Sequence, residues 1–465
     1  GWCASVEYTS LPEIVRRSAN RAILDTVGVI AAGSRHPLIT KILRMAESQP
    51  GSSIMIGGNL ASPQAAALVN GTAAHVYDFD DTSYTGIMHG SAVILPSILA
   101  VADEIDCSRE EFIAAFVVGS EISYTIAEFA THAHYFKGWW STGTLGLIGA
   151  TAAVSKLYGL GSEKTATAIG LAVAGSCGTK AIVGTDGKSF FVGEAARRAI
   201  DFAKAAAIGL SGPHDAIESS RGFIPLLNGG TFEYKHIQTL GQRWRLVDPG
   251  ILFKRFPVCS AAHALIQQTV ALFDEAQCTV ADVASVVCDI PELVNISLVY
   301  DKPKNIQQAQ FSAPFAVACA LRFGAVRLSD LNNDVITSPE ILEIMARVNK
   351  RVDPEFSTDD MRKKYPESAR VTLILKDGRK FDGFCGEAYG MPGNPLSEAD
   401  LITKFSDCLQ FAGHGFGMAS KIAAELLSQD FSKSNRSISD IVSQAWSLTK
   451  MDVTENENGG VFKYS

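Results

Sequence analysis

The chain has 465 residues, 47% hydrophobic and 19% charged, with a net charge of -8. These values describe an ordinary globular protein, long enough for two domains and a large core. They exclude a basic face able to neutralise phosphates, so no nucleic-acid partner is expected.

Apolar residues recur at helical spacing over 11–32. Two stretches, 48–77 and 82–102, lack Asp, Glu, Lys and Arg. Pro50, Asn59, Pro63 and Asn70 interrupt the first, and His89, Ser91 and Pro96 the second. A membrane span is more uniformly apolar, so both are read as buried helix and loop, with no membrane partner. Ser108 followed by Glu110 and Glu111 starts a helix over 109–128 with an N-cap and acids in the first turn. Residues 143–174, rich in Ala and Gly, read as closely packed helices, and 190–208 is helical again. After Pro257 the pattern changes: 286–290 reads as a strand, 313–321 and 339–348 as helices. Residues 370–375 and 380–384 form a hairpin around Asp377-Gly378. Helical periodicity returns at 401–427 and 438–448, and the tail 454–465 is polar and expected to be loosely held.

The expected fold is therefore mainly α. A large helical domain, 1–255 plus 391–465, carries an inserted, smaller α+β lid domain, 256–390. Nine cysteines are scattered without a CxxC pair, and Gly1-Trp2-Cys3 shows no basic segment ahead of an apolar one. Free thiols, a cytoplasmic location and no signal peptide are expected.

Nucleotide-binding glycine motifs are missing, and GxSxG fails by one residue at Ala174. His132-Ala133-His134 has no acidic or Cys partner nearby, and Cys259 is read as a thiol near a helix start rather than one of a metal pair with His263. No metal is expected. The densest polar cluster is His75-Val76-Tyr77-Asp78-Phe79-Asp80-Asp81-Thr82, followed by His89-Gly90-Ser91. A solvated loop would not interleave Tyr77 and Phe79 with acids. A partly buried site is expected, in which the carboxylates must be paired or hydrogen-bonded.

Asp78-Phe79-Asp80-Asp81-Thr82 and His89-Gly90-Ser91 resemble the hallmark of the MmgE/PrpD superfamily, which includes 2-methylcitrate dehydratase, cis-aconitate decarboxylase and iminodisuccinate epimerase. Six further matches follow in the family's order. They are Ser141-Thr142-Gly143-Thr144, Lys188 ahead of Gly193-Glu194-Ala195-Ala196, and Gly212-Pro213 leading to Glu218. Then come Lys254-Arg255-Phe256-Pro257-Val258-Cys259 with His263, Phe311-Ser312 before Pro314, and Pro392-Gly393-Asn394-Pro395-Leu396-Ser397. The resemblance implies a homodimer, an interdomain cleft and no cofactor. It also implies a site with Asp78, Thr82 and His89 on one wall, Lys188 and Lys254 as two cations, and His263 beside the second. Trp140, Phe191 and Phe315 stand where relatives often carry His, His and Tyr.

Loss of those three proton-exchanging groups turns the expectation toward α-proton exchange. The leading reading is a cofactor-independent epimerase acting on an amino-polycarboxylate such as iminodisuccinate. His89 is the base, Lys188 or Tyr84 serves the opposite face, and Asp78 assists. Thr82, Trp140, Thr142, Lys254, His263, Phe191 and Phe315 contact the substrate. The alternatives are a hydro-lyase resembling 2-methylcitrate dehydratase and a non-catalytic polycarboxylate-binding protein.

Overall fold

Long apolar stripes make the N-terminal half helical. The computed structural model describes residues 1–46, 49–230, 232–414, 416–431 and 436–446. The principal helices are α1 (Glu13–Gly33), α2 (Pro63–His75), α3 (Ser91–Ile105), α4 (Arg109–Ala130), α5 (Ser141–Leu157), α6 (Ser162–Gly175) and α7 (Asp186–Ala207). Helix α4 begins with a capping box between Ser108 and Glu111. By length and composition α4 is long and apolar enough to cross a bilayer, but 89% of its apolar window is buried among its neighbours, so it serves as a core helix.

Helices α2 and α7 meet backbone to backbone. A Cβ on Gly193 would sit 2.2 Å from the Leu68 carbonyl oxygen, and one on Gly71 would sit 2.9 Å from the Gly193 Cα. This contact fixes the last residue of α2, His75, against the first turn of α7, which carries Lys188. A two-residue antiparallel pairing of β1 (Thr82–Ser83) with β2 (Ile251–Leu252) brings Lys254 to the same place.

After β2 come α8 (His263–Ala276), β3 (Val283–Ile290), α9 (Ala313–Phe323), α10 (Pro339–Met345), β4 (Val348–Val352), β5 (Ala369–Leu375) and β6 (Lys380–Cys385). The strands form one sheet in the order β4-β3-β5-β6, with β3 and β4 parallel and the other pairs antiparallel. Helix α8 covers β5 and β6, and α9 packs on α8 and α10. The inward positions of β5, Ala369, Val371, Leu373 and Leu375, are buried in strict alternation.

The helix expected over 339–348 ends at Met345, and Val348 opens strand β4 instead. Asn349, Lys350 and Arg351 hide that strand's periodicity. It lies at the sheet edge and is held through its backbone pairing with β3 and by Arg351 on Asp289 at 2.7 Å.

Helices α11 (Glu398–Phe411), α12 (Phe416–Leu427) and α13 (Ile438–Trp446) return to pack on α1. Lys404 of α11 pairs with the buried Asp25 of α1 at 2.7 Å. The polar tail 454–465 and the last residues of the helix expected over 438–448 lie outside the described residues.

Candidate active site

Helix α2 stops at His75, and the chain turns sharply through Asp78, whose φ is 48°. Left-handed backbone is uncommon for a non-glycine residue and persists only where surrounding contacts over-determine it. Those contacts are two lysines. Lys188 Nζ donates to Asp78 Oδ1 at 2.7 Å, and Lys254 Nζ donates to Asp78 Oδ2 at 2.7 Å and to its carbonyl oxygen at 2.6 Å. Burial alone would raise the Asp78 pKa, but the two ammonium groups outweigh it and hold the carboxyl well below the usual carboxylate range. Lys254 is fully buried. Burial opposes its charge, and the Asp78 and Asp80 carboxylates more than offset that, raising its pKa.

A second chain of contacts runs behind Lys188. Asp80 Oδ2 lies 2.7 Å from His75 Nδ1, and His75 Nε2 meets the Lys188 ammonium. An ammonium can only donate, so His75 Nε2 accepts and its proton sits on Nδ1, facing Asp80. Burial lowers the His75 pKa despite the Asp80 charge, which keeps the ring neutral. Lys188 therefore has one N–H not engaged by Asp78 or His75.

A tight turn, closed by mutual Ser83–Met88 backbone hydrogen bonds and containing Ile87 at φ 52°, returns the chain to His89. His89 Nδ1 lies 2.8 Å from the Asp81 carbonyl oxygen and 3.4 Å from Asp80 Oδ2. Its backbone N–H donates to Thr142 Oγ1 at 3.1 Å. These acceptors place the proton on Nδ1 and leave Nε2, which has no protein partner among the described residues, with its lone pair. Burial pushes the His89 pKa down to about 3, so the ring is neutral. Below this layer Asp81 accepts from Ser91, and burial pushes its carboxyl up to about 8.

These groups border a cavity of about 350 Å³, a size suited to a small organic acid. Asp78, Thr82, His89, Trp140, Thr142 and Lys188 lie on its wall. Lys254 and Tyr84 sit behind it. Tyr84 is no free base, because its hydroxyl donates to Glu367 Oε2 at 2.7 Å and burial pushes its pKa well above the usual phenol range.

Besides Lys254, three residues expected at the substrate lie off the wall. His263, the first residue of α8, is buried with Nε2 3.1 Å from the Phe256 carbonyl oxygen and its ring 5.2 Å from that of Phe256, so it packs the preceding loop onto the helix start. Phe315 is fully buried in α9. Phe191 is 40% exposed, on the outer face of α7 against Phe190. The replacements at 191 and 315 thus leave the cavity wall unchanged, and only Trp140 alters it.

Sequence reading missed His75 and Asp80 as individual site members, although both fall in the cluster it singled out. It also missed Glu367 and Lys180, both on the cavity wall. Glu367 accepts from Tyr84 and, at 2.9 Å, from Ser260 Oγ, and burial raises its pKa. The His75, Asp80 and His89 donor atoms lie within 4.8 Å of one another, the spacing of a metal triad. Here the same atoms are linked as hydrogen-bond partners, so a cation would have to displace both Nδ1 protons.

A larger cleft of about 730 Å³ opens between Phe256, residues 325–329 and α11. Among the described residues it has no imidazole on its wall, and its Lys404 is already paired with Asp25.

The MmgE/PrpD N-terminal domain matches residues 1–235 and the MmgE/PrpD C-terminal domain matches 256–425. A cis-aconitate decarboxylase of Homo sapiens is 27% identical over 84% of this chain and 82% of its own length. One from Aspergillus terreus is 23% identical over 87% of each chain. A 2-methylcitrate dehydratase of Escherichia coli is 22% identical over 81% of this chain and 82% of its own. With both domain matches in order around the Asp78–Lys188–Lys254 centre, the chain belongs to the MmgE/PrpD family.

Proposed function

We propose that this enzyme is a lyase that dehydrates a small hydroxy-polycarboxylic acid without a cofactor. One observation carries the reading: two titratable groups on one cavity wall are driven in opposite directions. His89 is held neutral with a free Nε2, and Glu367 is pushed toward its protonated form. Such divergence separates a base from an acid.

In the reaction, His89 Nε2 removes the proton on the carbon next to a carboxylate. The C–H electrons form the carbon–carbon double bond, the neighbouring C–O bond breaks, and the departing hydroxide takes the Glu367 proton and leaves as water. The unengaged Lys188 N–H stabilises the enediolate that develops, an interaction typically worth about 3 kcal/mol. Asp78 and His75 aim that ammonium, and Asp80 orients His75. Glu367 and Ser260 come from the 256–390 segment, and Lys254 lies just ahead of it, which fits the reading of that segment as a lid that completes the site.

The relatives named as decarboxylase and dehydratase agree with a lyase. Decarboxylation needs no base, and a base is what this wall presents. Epimerisation uses the same base and cation, and Trp140 in place of an imidazole favours it. Phe191 and Phe315 lend it no support, since neither reaches the cavity.

The test is incubation with 2-methylcitrate and related hydroxy-tricarboxylates in deuterium oxide. Absorbance growth near the ultraviolet edge and loss of water by mass are expected, and His89→Gln lowers kcat by about 10²–10⁴-fold. Carbon dioxide release, or deuterium uptake with no alkene, overturns the dehydratase assignment. Ligand-induced heat stabilisation with neither chemistry marks a binding protein.

A further inference from the structure

We infer that Lys180 is the cation that anchors a second carboxylate of the substrate, remote from the reacting carbon. The inference rests on the reading of the cavity as a polycarboxylate site.

The two lysines singled out by the sequence are poorly placed to hold a multiply charged ligand. Lys254 is fully buried behind the wall and gives two hydrogen bonds to Asp78. Lys188 gives one to Asp78 and one to His75, leaving a single N–H. One ammonium proton can hold one carboxylate.

Lys180 differs in every respect. It sits in the short turn Lys180–Ile182 between α6 and α7, on the cavity wall with Trp140 and Lys188. Its backbone N–H is held by the Gly138 carbonyl at 2.9 Å, so the turn is fixed. The ammonium lies 3.5 Å from the Tyr135 ring centroid and, among the described residues, donates only to the Tyr135 carbonyl, at 3.4 Å. It makes no ion pair with a carboxylate among the described residues. Half-burial pushes its pKa down to about 8, consistent with a cation that has no anion of its own. An aromatic face holds the ammonium in place without neutralising it. A carboxylate entering the cavity supplies the missing charge.

The experiment is calorimetric titration of wild type, Lys180→Gln and Lys180→Arg with tricarballylate, which has no hydroxyl to lose, and with the monocarboxylate butyrate. A lost charge-assisted contact is typically worth about 10–100-fold in affinity. Lys180→Gln is expected to weaken tricarballylate by that factor and butyrate, whose single carboxylate needs only Lys188, by less than about 3-fold. Lys180→Arg stays within about 3-fold of wild type for both. Wild-type tricarballylate affinity falls as pH rises through and above about 8, and the fall is lost in Lys180→Arg. Equal weakening of both ligands, or none, overturns the role of Lys180 while the polycarboxylate reading stands. Failure of wild type to bind either ligand overturns both.

Discussion

Asp78→Asn tests whether one buried carboxylate holds the centre together. The substitution keeps the shape but removes the charge that two ammonium groups share, each at 2.7 Å. Removing one partner of a buried pair costs about 3–5 kcal/mol, because the other charge is left uncompensated. Here two cations lose their anion, one of them fully buried, while the asparagine oxygen can still accept from only one of them. The expected loss lies at the upper end, about 4–5 kcal/mol, which over 465 residues lowers Tm by about 4–5 °C. Scanning calorimetry at pH 7.5 reads it directly. The origin is checked with Lys254→Met, which replaces the buried ammonium by an apolar chain of similar length. Asp78→Asn/Lys254→Met is expected to unfold at a higher temperature than Asp78→Asn alone. A single variant within about 2 °C of wild type, or a double variant less stable than the single, refutes the reasoning.

Three further outcomes follow from the same geometry. Asp80→Asn replaces an acceptor-only carboxylate by an amide that can donate to Nδ1 of His75, so the proton can shift to Nε2 and face the Lys188 ammonium. We expect kcat to fall by about 10²-fold or more with KM little changed, and unaltered far-ultraviolet dichroism excludes misfolding as the cause. Gly193→Ala drives a Cβ to 2.2 Å from the Leu68 carbonyl oxygen, so α2 and α7 must part. Destabilisation of about 1–3 kcal/mol in urea melts, together with reduced activity, is expected because Lys188 moves away from His75. Asp81 holds its proton up to about 8 when folded and releases it near 4 when unfolded. Its contribution to stability is therefore complete below about pH 4 and is lost as pH rises toward 8. Asp81→Asn should flatten that part of the stability profile, and an unchanged slope would count against a buried neutral Asp81.

The acid cluster was legible because its residues are consecutive. Asp78, Asp80 and Asp81 interrupt some fifty otherwise uncharged positions and alternate with Tyr77 and Phe79, a pattern that makes sense only where charge is buried beside a core. Helix α4 was legible from its cap, and the hairpin from Asp377-Gly378, where φ is 92° at Gly378. What could not be read is which face of an element looks inward. Lys188 and Phe191 are neighbours on one helix, yet the first is buried and the second exposed. Cys259 reaches the cavity wall and His263, four residues on, does not. Lys180 and Glu367 escaped for another reason. Each is an unremarked charge in a short connection, and its importance comes from partners 45 or more positions away.

The charges around the cavity explain why this arrangement calls for an anionic ligand. Asp78 and Asp80 are ionised, His75 and His89 are neutral, and Glu367 is driven toward neutrality. Against two negative charges stand the three ammonium groups of Lys180, Lys188 and Lys254, so the wall carries a positive excess. An acid with several carboxylates cancels that excess and adds more negative charge beside His89. Burial is what holds His89 near 3, and a neighbouring anion opposes it, raising the affinity of Nε2 for a proton. The ligand thus strengthens the base that attacks it. A monocarboxylate would satisfy Lys188 but leave Lys180 uncompensated and His89 weakly basic. The number of carboxylates on the substrate therefore sets both binding and base strength.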